Sequence, residues 1–136
     1  MTEFKSEQLK VNAPAEDVFD FLADFTNFEH LMPEQIKNWK ADTDTCSFTI
    51  EGLAELSMRI ASKNRASNIH IVSHGKNPVD YTLDVFLLPS DENKCKAEVV
   101  FGADLNPFIK TMASRPLQNF VDMLAGRLQK HFESSE

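Results

Sequence analysis

The feature that most constrains this chain is a double change of hydrophobic period. Apolar residues recur at helical spacing over residues 14–32, alternate with a period of two over 36–104, and return to helical spacing over 107–131. The long alternating stretch satisfies its backbone only as a sheet, and short strands joined by polar turns make an antiparallel meander. A meander with one oily face and a long helix with one oily stripe must bury them on each other. The expected class is therefore α+β, a sheet against a C-terminal helix.

In residues 4–11, Leu9 and Val11 alternate while Phe4 is out of phase, which predicts a strand with a bulge. A helix start follows: Asn12 is the expected cap, Pro14 stands in the first turn, and Glu16 and Asp17 suit the positive end of the dipole. Val18, Phe19, Leu22 and Phe25 form its apolar stripe, with an end near Asp24. Thr26 and Asn27 open a second short helix anchored by Phe28, Leu31 and Met32, which Pro33 stops. Strands are expected at 36–41, 46–51, 56–61, 68–74, 79–88 and 95–103, with connections at Gly52, 62–67, 75–78 and 89–94. In the last helix, over 107–131, Met112, Phe120, Leu124 and Leu128 set the stripe and Leu117 and Val121 widen it. Pro116 is expected to kink or restart it, and Lys130 and His131 suit its negative end.

The 136 residues fit one domain, 1–136, with 133–136 reading as a frayed tail. Twenty-one acidic residues against 14 basic ones, a net charge of −7, argue against a nucleic-acid partner. Apolar runs fall far short of the roughly 20 residues of a membrane span, so no stable membrane insertion is expected. Cys46 and Cys95 follow no secretory-type leader, so reduced thiols and a cytoplasmic location are expected. Neither cysteine has metal-ligand spacing, and GxGxxG, P-loop, HExxH and GxSxG patterns are absent, so no metal and no cofactor are expected.

The order strand, two short helices, six strands, long helix, together with the stretch Val11-Asn12-Ala13-Pro14-Ala15-Glu16-Asp17-Val18-Phe19-Asp20-Phe21-Leu22-Ala23-Asp24, then Asn27-Phe28 and Leu31-Met32-Pro33, resembles the START-like, or Bet v 1-like, superfamily. The likeness is to its polyketide cyclase/dehydrase and lipid-transport branch and covers essentially the whole chain. It implies a helix-grip fold: a seven-stranded curved antiparallel sheet wrapped around the C-terminal helix, two short helices between strands 1 and 2, and a cavity for a small hydrophobic molecule. The same resemblance allows a cyclase/dehydrase-type enzyme or a protein-interaction adaptor.

Eleven Phe against one Tyr and one Trp make an oily interior with few polar handles. The residues expected to line a cavity are Phe28, Leu31, Met32, Trp39, Phe48, Met58, Tyr81, Leu83, Val99, Phe101, Met112 and Phe120, each of which also reads as plain core. No catalytic constellation stands out; His70, His74 and Tyr81 are the weak candidates. His70 and His74 share a strand face, and a four-residue connection to the next strand turns them toward Leu83 and Val85. A five-residue connection pairs them instead with Asp80, Thr82, Asp84 and Phe86 on the outer face. Glu51 with Glu55, and Asp80 with Asp84, read as a solvated rim, and Arg59 and Arg65 as surface charge, with a ligand carboxylate at the rim as the alternative partner. Val72 or Phe86 together with Val100 on the outer face would expose an apolar patch, hence the expectation of a homodimer through that face.

Overall fold

The computed structural model describes residues 2–32, 34, 36–51, 54–75, 77, 79–91 and 93–133, Ala54 by its backbone alone. The chain opens with β1 (Thr2–Lys5) and β2 (Leu9–Val11), followed by α1 (Ala15–Leu22), α2 (Phe25–Phe28) and a 3-10 turn at Glu29–Leu31. Then come β3 (Ile36–Ala41), β4 (Thr45–Ile50), β5 (Ala54–Asn64), β6 (Asn68–Ser73), β7 (Tyr81–Asp91), β8 (Lys94–Ala103) and α3 (Pro107–Glu133). All strands form one curved antiparallel sheet in the order β1-β8-β7-β6-β5-β4-β3, with β2 also on β8. This is the helix-grip architecture.

The expected first strand with a bulge is two strands on one partner, because Ser6 breaks the ladder and replaces part of it. Its amide donates to the Val99 carbonyl at 2.9 Å, and its hydroxyl accepts from the Val99 N–H at 2.9 Å. Ser6 is buried, and Phe4, Leu9 and Val11 are thereby brought to the same inner side, opposite Phe101, Ala97 and Cys95.

Several local expectations are corrected. Pro14, not Asn12, occupies the cap of α1: its φ of −61° and ψ of 150° are extended, and its carbonyl accepts from Val18 N–H at 3.2 Å with no side-chain cap. Helix α1 stops at Leu22, which frees Asp24 to cap α2 by accepting from Thr26 N–H at 2.9 Å and Thr26 hydroxyl at 2.7 Å. The 62–67 connection shrinks to a turn at 65–67. A bulge after Ile60 keeps Ser62, Lys63 and Asn64 paired with His70, Ile69 and Asn68, and Ala66 takes the turn's positive φ of 59°. Much of the 89–94 connection likewise becomes ladder, with Pro89 opposite Cys95 and Asp91 opposite Lys94, Asn93 standing in a turn and Glu92 lying outside the described residues. Pro89 is tolerated there because it lies beyond Phe86, the last β7 residue paired with β6. Helix α3 runs unbroken through Pro116, and Glu133, expected in the tail, closes it. Pro33, Gly52 and residues 134–136 lie outside the described residues, as do Lys76 and Pro78 of the 75–78 connection.

The stripe of α3 that meets the sheet is Ala113, Leu117, Phe120, Val121, Leu124, Ala125 and Leu128, and it packs on β8, β2, β1 and the 3-10 turn. Met112, expected in that stripe, is 63% exposed. One residue is about 100° of helix rotation, so a stripe through Ala113 and Leu117 turns Met112 toward solvent.

Candidate functional site

The register of β6 on β7 pairs His70 with Asp84, Ile71 with Leu83 and Val72 with Thr82, the arrangement of the five-residue connection. Both histidines therefore leave the interior. His70 Nδ1 lies 2.7 Å from Asp84 Oδ1, which also accepts from the Asn68 amide at 3.2 Å, so the carboxylate fixes the imidazole on the outer face. His74 is exposed and lines an outer-face hollow with Lys40, Asp42, Ser47 and Ser57. On the same face Phe86 and Leu88 are exposed and Val72 half-buried, whereas Val100 is buried.

Tyr81 alternates with these groups and points inward. Its hydroxyl donates to the Ser57 carbonyl at 2.6 Å, and burial, assisted by neighbouring Cys46, pushes its phenol well above the ordinary value. Cys46 and Cys95 are free and buried; burial raises both thiols, and Asp42 adds to the effect at Cys46. Neither is a thiolate nucleophile near neutral pH. Among the described residues no group of three or more metal-ligating side chains comes together.

Inside, the aromatic residues form a continuous chain. Trp39 stacks on Phe48 (5.6 Å between centroids), Phe48 on Phe120 (6.1 Å), Phe120 meets Phe101 edge-on (6.5 Å), and Phe101 stacks on Tyr81 (5.2 Å). These rings fill the space between the sheet and the middle of α3. The buried Trp39 Nε1 has no hydrogen-bond partner among the described residues.

An apolar cavity of about 230 Å³ survives at one end, where the start of α3 stands over the ends of β5, β7 and β8. Leu56, Tyr81, Phe101 and Ala103 form its sheet wall, Ala113 and Leu117 its helix wall, and Val79, Leu105, Ile109 and Met112 complete the lining. It exists because Ala103 and Ala113 place methyl groups where Phe101 and Leu117, their neighbours on the same faces, place large side chains. It opens because residues 107–112 are all exposed, the helix making its first buried contact at Ala113. Pro116 lies within a turn of that change; lacking an N–H, it leaves the Met112 carbonyl without its helical partner.

Of the twelve residues named from sequence as cavity lining, Tyr81, Phe101 and Met112 line this cavity. Phe28, Leu31, Phe48, Met58, Leu83, Val99 and Phe120 are packed in the core, and Met32 and Trp39 lie partly buried against it. Leu56, Val79, Ala103, Leu105, Ile109, Ala113 and Leu117 were not named as lining. The signal in the sequence that matches them is a pair of small residues, Ala103 ending the last strand and Ala113 in the last helix. Of the rim cations, Arg65 is committed to α1, with Nη1 3.0 Å from Asp20 Oδ1 and its guanidinium 5.9 Å from the centre of the Phe19 ring. Arg59, opposite Thr45, is exposed.

No family model and no curated protein sequence matches the chain. Solved structures match it over nearly its full length. A START superfamily protein from Mycobacterium smegmatis has 15% identity and a TM-score of 0.71, covering 98% of this chain and 99% of its own. Truncated norcoclaurine synthase from Thalictrum flavum has 13% identity and a TM-score of 0.74, covering 99% and 95%; another structure of that synthase is a complex with dopamine and hydroxybenzaldehyde. The di-domain ARO/CYC protein BexL has 15% identity and a TM-score of 0.75, this chain covering 98% of itself and 47% of BexL. At these identities the likeness establishes the fold, and the chain has the START-like, Bet v 1-like helix-grip fold.

Proposed function

We propose that this protein binds a small, uncharged, apolar molecule in the cavity between the start of α3 and the ends of β7 and β8. One observation carries the reading: the lining side chains are hydrocarbon, thioether and aromatic, and their single hydroxyl, that of Tyr81, already donates to Ser57. A charged ligand group carried into such a lining would lack a partner and lose its hydration. The volume of about 230 Å³ lies below the roughly 300–1,000 Å³ of drug-sized ligand sites. It exceeds the ~150 Å³ of an engineered cavity that takes up benzene, so the fitting class is one ring or a short aliphatic chain. The structural likeness to a synthase complexed with dopamine and hydroxybenzaldehyde supports small aromatic ligands as the first to try.

The test is thermal unfolding with naphthalene, 1-decanol and decanoate as probes. A ligand bound only by the native state at 100 times its Kd adds about 2.7 kcal/mol, several degrees in Tm for a domain of this size. The two neutral probes are expected to raise Tm and decanoate to do less. Ile109→Trp, which plugs the half-exposed rim without touching the core, abolishes the shift while leaving the fold intact. No shift with any probe, or an undiminished shift in Ile109→Trp, contradicts the reading. A cyclase-type enzyme would have to run on Tyr81, the one inward-facing member of the three acid–base candidates, whose proton burial holds in place.

A further inference from the structure

Building on the cavity reading above, we propose that the start of α3, residues 107–115, docks on an anionic lipid surface and presents the cavity mouth to it. Phe108 is 74% exposed, Met112 63% and Ile109 36%, all within residues 107–112, where every residue is exposed. Large apolar side chains grouped in solvent mark an association surface, and Ile109 and Met112 are also the cavity rim.

Charge identifies the partner. The chain carries a net −7, yet residues 105–121 hold Lys110 and Arg115 and no Asp or Glu, the bordering acids Asp104 and Asp122 lying outside the segment. Neither cation has an ion-pair partner among the described residues. The positive end of the α3 dipole lies at the same place. An anionic surface therefore attracts Lys110 and Arg115 while the remainder of the chain is acidic on balance, Asp80 and Asp104 beside the lining residues Val79 and Leu105 included, which favours an approach led by α3. A second copy seated on the patch would set these positive charges against their own kind. The tip's hydroxyls are also satisfied internally, Thr111 donating to the Pro107 carbonyl at 3.0 Å and Ser114 to the Lys110 carbonyl at 2.5 Å, which lowers the cost of leaving water.

The experiment is co-sedimentation of ligand-free protein with phosphatidylcholine vesicles with and without phosphatidylglycerol, at low and high salt. The wild type is expected on the phosphatidylglycerol vesicles, less on the neutral ones and less at high salt. Phe108→Glu lowers partitioning about tenfold or more, and Lys110→Glu and Arg115→Glu each lower it about fivefold or more. None of the three residues lines the cavity, so all three variants keep the wild-type Tm and the naphthalene shift. A wild type that ignores phosphatidylglycerol vesicles, or a Phe108→Glu variant that binds like wild type, overturns the proposal. Light scattering that shows a dimer dissolved by Phe108→Glu, with no vesicle binding, overturns it in favour of a second copy. Vesicle binding retained without any naphthalene shift supports the docking surface while contradicting the cavity reading.

Discussion

Tyr81 and Ser6 show how single polar atoms are disposed of in an oily interior. Removing the Tyr81 hydroxyl leaves the Ser57 carbonyl with the His74 amide at 2.9 Å, so Tyr81→Phe is expected to cost about 1 kcal/mol in denaturant unfolding and to leave naphthalene binding in place. A loss of binding in that variant would mean that the hydroxyl touches the ligand. Ser6→Ala strands the buried Val99 N–H and is expected to cost more, about 1–3 kcal/mol. The side of the sheet on which His70 and His74 stand was not legible in the sequence. It turns on one residue of loop length, and a slip of one exchanges the faces of a whole strand. Ser6 was equally hidden, since its part in the ladder depends on Val99, far along the chain.

The helices and strands were largely legible, because each announces its period and the long helix its stripe. The failures fall at ends and connections, where partners elsewhere decide: strands β5 and β7 run on because β6 and β8 keep pairing with them. Between β3 and β4, Asp42 binds the turn by accepting from Asp44 N–H (3.1 Å), Thr45 N–H (2.8 Å) and the Thr45 hydroxyl (2.9 Å). The backbone bond from Thr45 is the largest cause of its lowered pKa. A carboxylate whose folded pKa is depressed contributes stability above its unfolded pKa and loses it as pH falls through the folded value. Asp42→Asn, which keeps an acceptor and drops the charge, is therefore expected to have a lower Tm than wild type at neutral pH. The two curves converge below the ordinary carboxylate range, and a gap that is constant with pH would rule this out. In the aromatic chain, Phe120→Ala is expected to cost about 3–5 kcal/mol in denaturant unfolding. A cost below 1 kcal/mol would mean that the rings do not hold the sheet to the helix.

At the scale of the whole molecule, the sequence announced a sheet gripping a helix, and the structural likeness bears that out. The position of the cavity was less legible, because it depends on which large side chains fill the interior and which small ones do not. Trp39, Phe48, Phe120, Phe101 and Tyr81 occupy the middle, and the apolar cavity lies where Ala103 and Ala113 face the end of the sheet. Xenon tests this directly, since it enters dry apolar cavities without regard to ligand chemistry. Methyl NMR under xenon pressure should move the resonances of Leu56, Ile109, Met112, Ala113 and Leu117 and leave those of Leu124 and Leu128 in place. Unmoved resonances at the first set, or the largest shifts at the second, would contradict an open cavity at the start of α3.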